Sequence, residues 1–125
     1  ILAIMALKLG AKNTAATDID DWCIENTLEN FKLNNFEAEF VEKGTIEELN
    51  LEQRYEIILA NINTNVLLNE IPTYVGLLEP KGKLFLSGFY EKDKPQITDL
   101  TDGLGLREIK STIKRGWVAM VLEKL

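Results

Sequence analysis

The apolar positions of the chain follow two periods, one typical of helices and one typical of buried strands. Apolar residues recur with helical spacing over 1–9, and Ile24, Leu28 and Phe31 repeat at i, i+4 and i+7 in a second helical segment. The segment 55–60 is almost continuously apolar, as expected of a central parallel strand covered on both faces. This alternation of helices and strands predicts βαβ units around a parallel sheet.

Turn residues divide the chain into the remaining elements. Gly10 is expected to end the first helix, Asp20 or Asp21 to cap the second, and 115–116 to form a tight hairpin. The predicted helices are 1–9, 20–34, 65–78 and 92–102; the predicted strands are 14–18, 39–43, 55–60, 83–88, 106–114 and 117–123, with turns at Gly44 and 80–82. The sequence therefore predicts one α/β domain over 1–125, with helices on both faces of a mostly parallel sheet and a closing antiparallel hairpin.

Composition excludes several classes of function. The net charge of -6 disfavours binding to phosphate backbones, so no nucleic-acid partner is expected. The chain has no histidine, which removes serine and cysteine triads and most zinc sites, and no metal site is predicted. The single cysteine, Cys23, suits a reducing compartment and is interpreted as structural. The opening apolar run breaks at Lys8 and is too short to span a bilayer, so a cytoplasmic protein is expected.

Candidate site residues follow the predicted strands, because ligands of open parallel sheets bind beyond the carboxyl ends of the strands. Asp18 could accept hydrogen bonds from both hydroxyls of a ribose, and the alternative is a solvated loop or a cap, for which Asp20 and Asp21 are better placed. Asn61 offers an uncharged amide beside which an amine could stay neutral, although asparagine is also a common turn former. Both alternatives stay open on the residues alone. The motif 102–105 is interpreted as a helix stop, and Glu47, Glu48 and Glu52 as a solvated face.

Several segments together resemble one family. They are 1–11 (Ile-Leu-Ala-Ile-Met-Ala-Leu-Lys-Leu-Gly-Ala), 16–20 (Ala-Thr-Asp-Ile-Asp), 59–62 (Leu-Ala-Asn-Ile), 84–88 (Leu-Phe-Leu-Ser-Gly) and 116–119 (Gly-Trp-Val-Ala). In this order and spacing, the chain resembles the catalytic domain of the methyltransferases that modify ribosomal protein L11. The resemblance covers nearly the whole chain and implies the Rossmann-like fold of class I methyltransferases.

The resemblance also implies a cofactor and roles for particular residues. The cofactor would be S-adenosyl-L-methionine. Asp18 would hold its ribose, Ile19 would lie against the adenine, and Thr45 would lie near the adenine edge. Asn61 would lie near the methyl-bearing end of the cofactor and the incoming amine, as both a cofactor-binding and a catalytic residue.

Two parts of the family pattern are expected to be missing. The first strand with its glycine-rich loop would lie just before Ile1, and a separate N-terminal domain would select the ribosomal protein. The resemblance thus implies an N-methyltransferase acting on lysine or α-amino groups of ribosomal protein L11. Alternatives are a methyltransferase of another protein or small molecule, a nicotinamide-dependent oxidoreductase domain, and a non-catalytic fragment.

Overall fold

The computed structural model describes residues 1–37 and 39–125, which form two compact units. The first unit is Ile1–Asn50 and the second is Leu51–Leu125. The prediction of a single domain over 1–125 stays a prediction.

The first unit is a small α/β layer. It comprises α1 (Leu2–Lys8), β1 (Ala15–Asp18), α2 (Asp21–Leu33) and β2 (Phe40–Lys43). The two strands are parallel, in a register that runs from Ala15 opposite Phe40 to Asp18 opposite Lys43. Their carboxyl ends therefore meet at one edge of the sheet.

Local sequence explains the helix ends of this unit. Gly10, at φ 107°, donates to Leu7 O, and Ala11 donates to Ala6 O, which together make a Schellman motif. The prediction of Gly10 as the end of α1 is confirmed. At α2 the cap is Asp20, whose side chain accepts from the Trp22 N–H at 2.8 Å.

The second unit is a four-stranded sheet with two helices. Its elements are β3 (Tyr55–Asn61), α3 (Thr64–Leu77), β4 (Leu78–Tyr90), a 3₁₀ turn (Glu91–Asp93), α4 (Lys94–Gly103), β5 (Leu106–Lys114) and β6 (Trp117–Lys124). The strand order is β3-β4-β6-β5. Strands β3 and β4 are parallel, and β6 is antiparallel to both β4 and β5. Strand β6 therefore runs antiparallel to the other three strands of this sheet. This agrees with the predicted mostly parallel sheet and its closing antiparallel hairpin.

The core of this unit lies between one face of the sheet and the two helices. Helices α3 and α4 contact each other and pack against the strands. The fully buried residues come from both layers: Leu67, Ile71, Leu78, Leu84, Leu86, Phe89, Ile97, Thr101, Val118, Met120 and Leu122. Their burial supplies the apolar contact that holds helices to sheet.

Two expectations differ from the structure. On the β3 face opposite Ala60, Ile57 and Leu59 are 56% and 37% exposed, because α3 and α4 cover the other face. An apolar run alone cannot show which face is covered. The turn expected at 80–82 lies within β4, where Lys81 has a φ of 65° and the register shifts between Tyr55 and Ile57.

Among the described residues, no helix has the length and apolarity needed to cross a membrane.

Candidate functional site

An open cleft of about 640 Å³ lies at the carboxyl ends of β3 and β4 in the second unit. It includes Asn61, the residue that ends β3. The other lining residues are Ile62, Asn63, Ser87, Gly88, Thr112, Lys114, Trp117, Val118 and Ala119. A volume of this size is typical of small-molecule sites.

The strand register places four of these residues in one row. Asn61 pairs with Ser87, Ser87 pairs with Ala119, and Ala119 pairs with Thr112. Residues paired in register project from the same face of a sheet. An amide and two hydroxyls therefore line the cleft, and the small Ala119 lies between the two hydroxyl-bearing residues.

A close backbone approach fixes the surroundings of Asn61. Gly88 has a φ of 88° and falls where the β4–β6 register shifts, which marks a bulge. A Cβ at Gly88 would lie 2.8 Å from Asn61 Oδ1 and 2.9 Å from both N and O of Ile62. The Ile62 N–H donates to Ser87 O at 3.1 Å. Only glycine therefore lets the β4 backbone pass this close to the Asn61 side chain.

The chain beyond Asn61 is held by two further polar contacts. Asn63 caps α3, and its Oδ1 accepts from the Val66 N–H at 3.1 Å. The Thr64 hydroxyl donates to Asp93 Oδ2 at 2.8 Å, which ties the start of α3 to the segment after β4. The two connections that follow β3 and β4 are thus joined directly.

Trp117 and Lys114 form one wall of the cleft. The rings of Trp117 and Tyr90 lie 4.1 Å apart between centroids, with 31° between their planes. Both rings are about half exposed, so they lie at the rim of the cleft. Lys114 pairs with Trp117 across the β5–β6 ladder, so it brings positive charge to the same wall.

In the first unit, Asp18 ends β1 beside the turn that follows β2. Its Oδ1 accepts from the Asp20 N–H at 3.1 Å, and its carbonyl accepts from the Gly44 N–H at 2.9 Å. A carboxylate has about four acceptor positions, so capacity for two ribose hydroxyls remains. Ile19 is 68% exposed and presents an apolar surface next to Asp18.

Thr45 and Glu48 form a capping box. The Thr45 N–H donates to Glu48 Oε2 at 2.9 Å, and the Glu48 N–H donates to Thr45 Oγ1 at 3.2 Å. Glu48 is exposed, as expected of a solvated face, and its carboxylate in addition orders the turn that contains Thr45. The spacing Thr-x-x-Glu is a signal that could have identified this contact.

Cys23 lies close to the Asp18 carboxylate. Desolvation of the thiol, the negative charges of Asp18 and Asp20, and a hydrogen bond to Asp18 raise the pKa of Cys23. A raised pKa keeps the thiol protonated and unreactive, in agreement with its structural interpretation.

The predicted site residues therefore fall into two groups. Asp18, Ile19 and Thr45 lie together at the carboxyl edge of the β1–β2 sheet. Asn61 lies in the second unit, and its shared contact with those residues stays a prediction. Sequence reasoning did not find Ser87, Thr112 and Lys114 as cleft residues, because their positions depend on strand pairing between distant segments.

Solved structures define the class of this fold. A methyltransferase from Pyrococcus furiosus superposes with a TM-score of 0.81 at 22% identity, over 98% of this chain and 68% of that chain. A ribosomal protein L11 methylase from Lactobacillus delbrueckii subsp. bulgaricus superposes with a TM-score of 0.93 at 28% identity, over 99% and 65% of the respective chains. The fold is thus that of the Rossmann-like class I methyltransferases.

Sequence comparison places the chain within that class. The family model "Ribosomal protein L11 methyltransferase (PrmA)" matches residues 1–125, and the chain belongs to this family. A ribosomal protein L11 methyltransferase from Porphyromonas gingivalis is 42% identical over 96% of this chain and 41% of its own length. One from Phocaeicola vulgatus is 38% identical over 96% of this chain and 43% of its own length. The chain thus spans about two fifths of these curated relatives.

Proposed function

We propose that the intact protein transfers a methyl group from S-adenosyl-L-methionine to amino groups of ribosomal protein L11. The observation that carries this proposal is the family match over 1–125, together with a cleft built around the residue that ends β3. The family match supports methyl transfer over the nicotinamide-dependent alternative. A cytoplasmic location stays a prediction.

The first unit supplies the residues proposed for the adenosine part of the cofactor. Asp18 accepts hydrogen bonds from the two ribose hydroxyls with its remaining acceptor positions. Ile19 lies against the adenine with its exposed side chain. Thr45 contacts the adenine edge; its N–H donates to Glu48 and its Oγ1 accepts from Glu48, so its hydroxyl proton remains free to donate.

Asn61 is the residue proposed to align the acceptor. Its amide carries no charge, so it can accept from an amine N–H and direct the nitrogen lone pair without competing for the proton. The backbone of Gly88 restricts the Asn61 side chain, which preserves this alignment. Orientation of this kind can contribute about 7–11 kcal/mol to lowering a barrier in favourable cases.

The acceptor nitrogen belongs to a lysine side chain or to the α-amino group of L11. It must lose a proton before it can attack, and water is the proposed acceptor of that proton. Asp18, Ile19, Thr45 and Asn61 would hold S-adenosyl-L-methionine, which would supply an activated methyl group on its sulfonium. The amine would gain that methyl group, and the sulfonium would become a neutral thioether. The product amine would leave with one added methyl group.

Replacement of Asn61 tests its assigned role. In the intact protein, Asn61→Ala should lower kcat for transfer of a radiolabelled methyl group to L11 by about 100-fold, as loss of one aligned polar group does in other enzymes. Binding of the cofactor, measured by calorimetry, should weaken less than turnover.

Asn65→Ala is the matched control, because Asn65 lies on the first turn of α3 and is not among the lining residues of the cleft. It should retain turnover close to that of the wild type. Unchanged turnover and unchanged cofactor affinity in Asn61→Ala would show that the assigned role is wrong.

A further inference from the structure

The cleft is lined by one charged side chain among the residues that the structure describes, that of Lys114. Thr112 and Lys114 are two residues apart on β5, so they project from the same face of the strand. Thr112 belongs to the row that starts at Asn61, and Lys114 therefore stands beside the same cleft. Its side chain is exposed and can reach over the cleft.

Lys114 forms no ion pair with the residues that the structure describes. Within 1–37 and 39–125, the recorded ion pairs involve Lys43, Lys94 and Arg107, and none involves Lys114. Arg115, next along the hairpin, adds a second positive charge.

The segment after β4 carries two carboxylates, those of Glu91 and Asp93, and two strands contribute rings. Glu91 donates its backbone N–H to Gly116 O at 2.9 Å, and its carboxylate is not in a recorded ion pair. Asp93 accepts from the Thr64 hydroxyl at 2.8 Å and from Gln96 Nε2 at 3.4 Å. Tyr90 of β4 and Trp117 of β6 contribute stacked rings. Neither carboxylate belongs to a residue that lines the cleft, so the net charge of the lining residues is positive.

We propose that Lys114 keeps the acceptor amine neutral, and hence nucleophilic, by charge repulsion inside this cleft. The inference rests on the proposed function. It assigns a role to Lys114, which lies on β5 and not in the turn after Asn61. A nearby like charge disfavours the charged form of an amine, which here is the unreactive ammonium. Two like charges about 8 Å apart lower the pKa of an amine by about 0.4–1.5 units when the effective dielectric constant lies between about 80 and 20.

The pH dependence of kcat tests this role, because kcat reports groups in the enzyme–substrate complex, whereas kcat/KM reports the free enzyme and free substrate. Methyl transfer to L11 by the intact protein is measured at saturating L11 and S-adenosyl-L-methionine. In Lys114→Gln, the rising limb of kcat should move to higher pH by about 0.4–1.5 units. The plateau above that limb should be unchanged.

Two variants serve as controls. Lys114→Arg keeps the charge and should keep the position of the limb. Lys110→Gln removes a charge from the same strand at a residue that does not line the cleft, and it should move the limb less than Lys114→Gln does. Thermal unfolding checks that each variant folds.

The outcomes separate the inference from the proposed function. An unmoved limb in Lys114→Gln, an equal shift in Lys110→Gln, or a loss of kcat that is uniform in pH would overturn the role of Lys114 and leave methyl transfer intact. A wild-type protein that transfers no methyl group to L11 would overturn both.

Discussion

Replacing Gly88 by alanine should destabilise the second unit strongly, because two separate costs coincide there. Gly88 has a φ of 88°, a left-handed conformation that costs an L-residue about 1–2 kcal/mol. The new Cβ would also lie 2.8 Å from Asn61 Oδ1 and 2.9 Å from N and O of Ile62. Forcing extra volume into such a site costs about 1–3 kcal/mol. The sum is about 2–5 kcal/mol in the free energy of unfolding.

Gly105→Ala is the matched control for the conformational cost. Gly105 has a φ of 76°, but its added Cβ would meet no atom within 4 Å. That variant should lose only about 1–2 kcal/mol. Urea unfolding of the intact protein, followed by circular dichroism, measures both variants under the same conditions.

The difference between the two variants isolates the contact with Asn61 and Ile62. If Gly88→Ala loses no more stability than Gly105→Ala, the close approach of β4 to the Asn61 turn is not a constraint. If it does lose more, turnover should fall with it, because the relief of the clash moves the Asn61 amide.

Three further outcomes are expected. Glu108→Gln should lower the free energy of unfolding at pH 7 by about 1 kcal/mol or less. Ser111 and Lys94 lower the pKa of Glu108, so this contribution is present above the ordinary carboxyl pKa and is lost as the pH falls below it. In unfolding titrations, the difference in unfolding free energy between the wild type and Glu108→Gln should therefore be smaller at pH 3 than at pH 7. Equal differences at the two pH values would refute the assignment. Asp20→Ala should cost about 1 kcal/mol through loss of the α2 cap, whereas Asp20→Asn should retain most of it, as urea midpoints can show. Iodoacetamide should alkylate Cys23 more slowly at pH 8 than it alkylates glutathione, because the pKa of Cys23 is raised; equal rates would contradict this.

Local signals in the sequence predicted the elements with strong turn chemistry. Gly10, Asp20 and the hairpin at 115–116 acted as expected, since each depends on backbone conformation within a few residues. Arg115 and Gly116 both have positive φ, as a two-residue hairpin turn requires. The sequence also carries the Thr-x-x-Glu pattern of the capping box, but only the exposure of Glu48 was predicted and not its contact with Thr45.

The cleft could be predicted only in part, because most of its residues meet through strand pairing. Asn61 was identifiable since it ends an apolar strand, and carboxyl strand ends carry ligands in such sheets. Ser87, Ala119 and Thr112 join it only through the order β3-β4-β6-β5, which places β6 between two strands that precede it in the chain. No local pattern shows that order. The exposure of Ile57 and Leu59 was not predicted for a related reason. Whether a sheet face is buried depends on which face the helices pack against, and the sequence of one strand does not show this.

Calorimetric titration of the intact protein with S-adenosyl-L-methionine, in the wild type and in Asp18→Ala, tests the cofactor assignment most directly. The account predicts saturable binding to the wild type and at least about 10-fold weaker binding to the variant, since hydrogen bonds to a charged group contribute about 1.5–3 kcal/mol. Binding of a nicotinamide dinucleotide in place of S-adenosyl-L-methionine, or equal affinity in the two proteins, would contradict it.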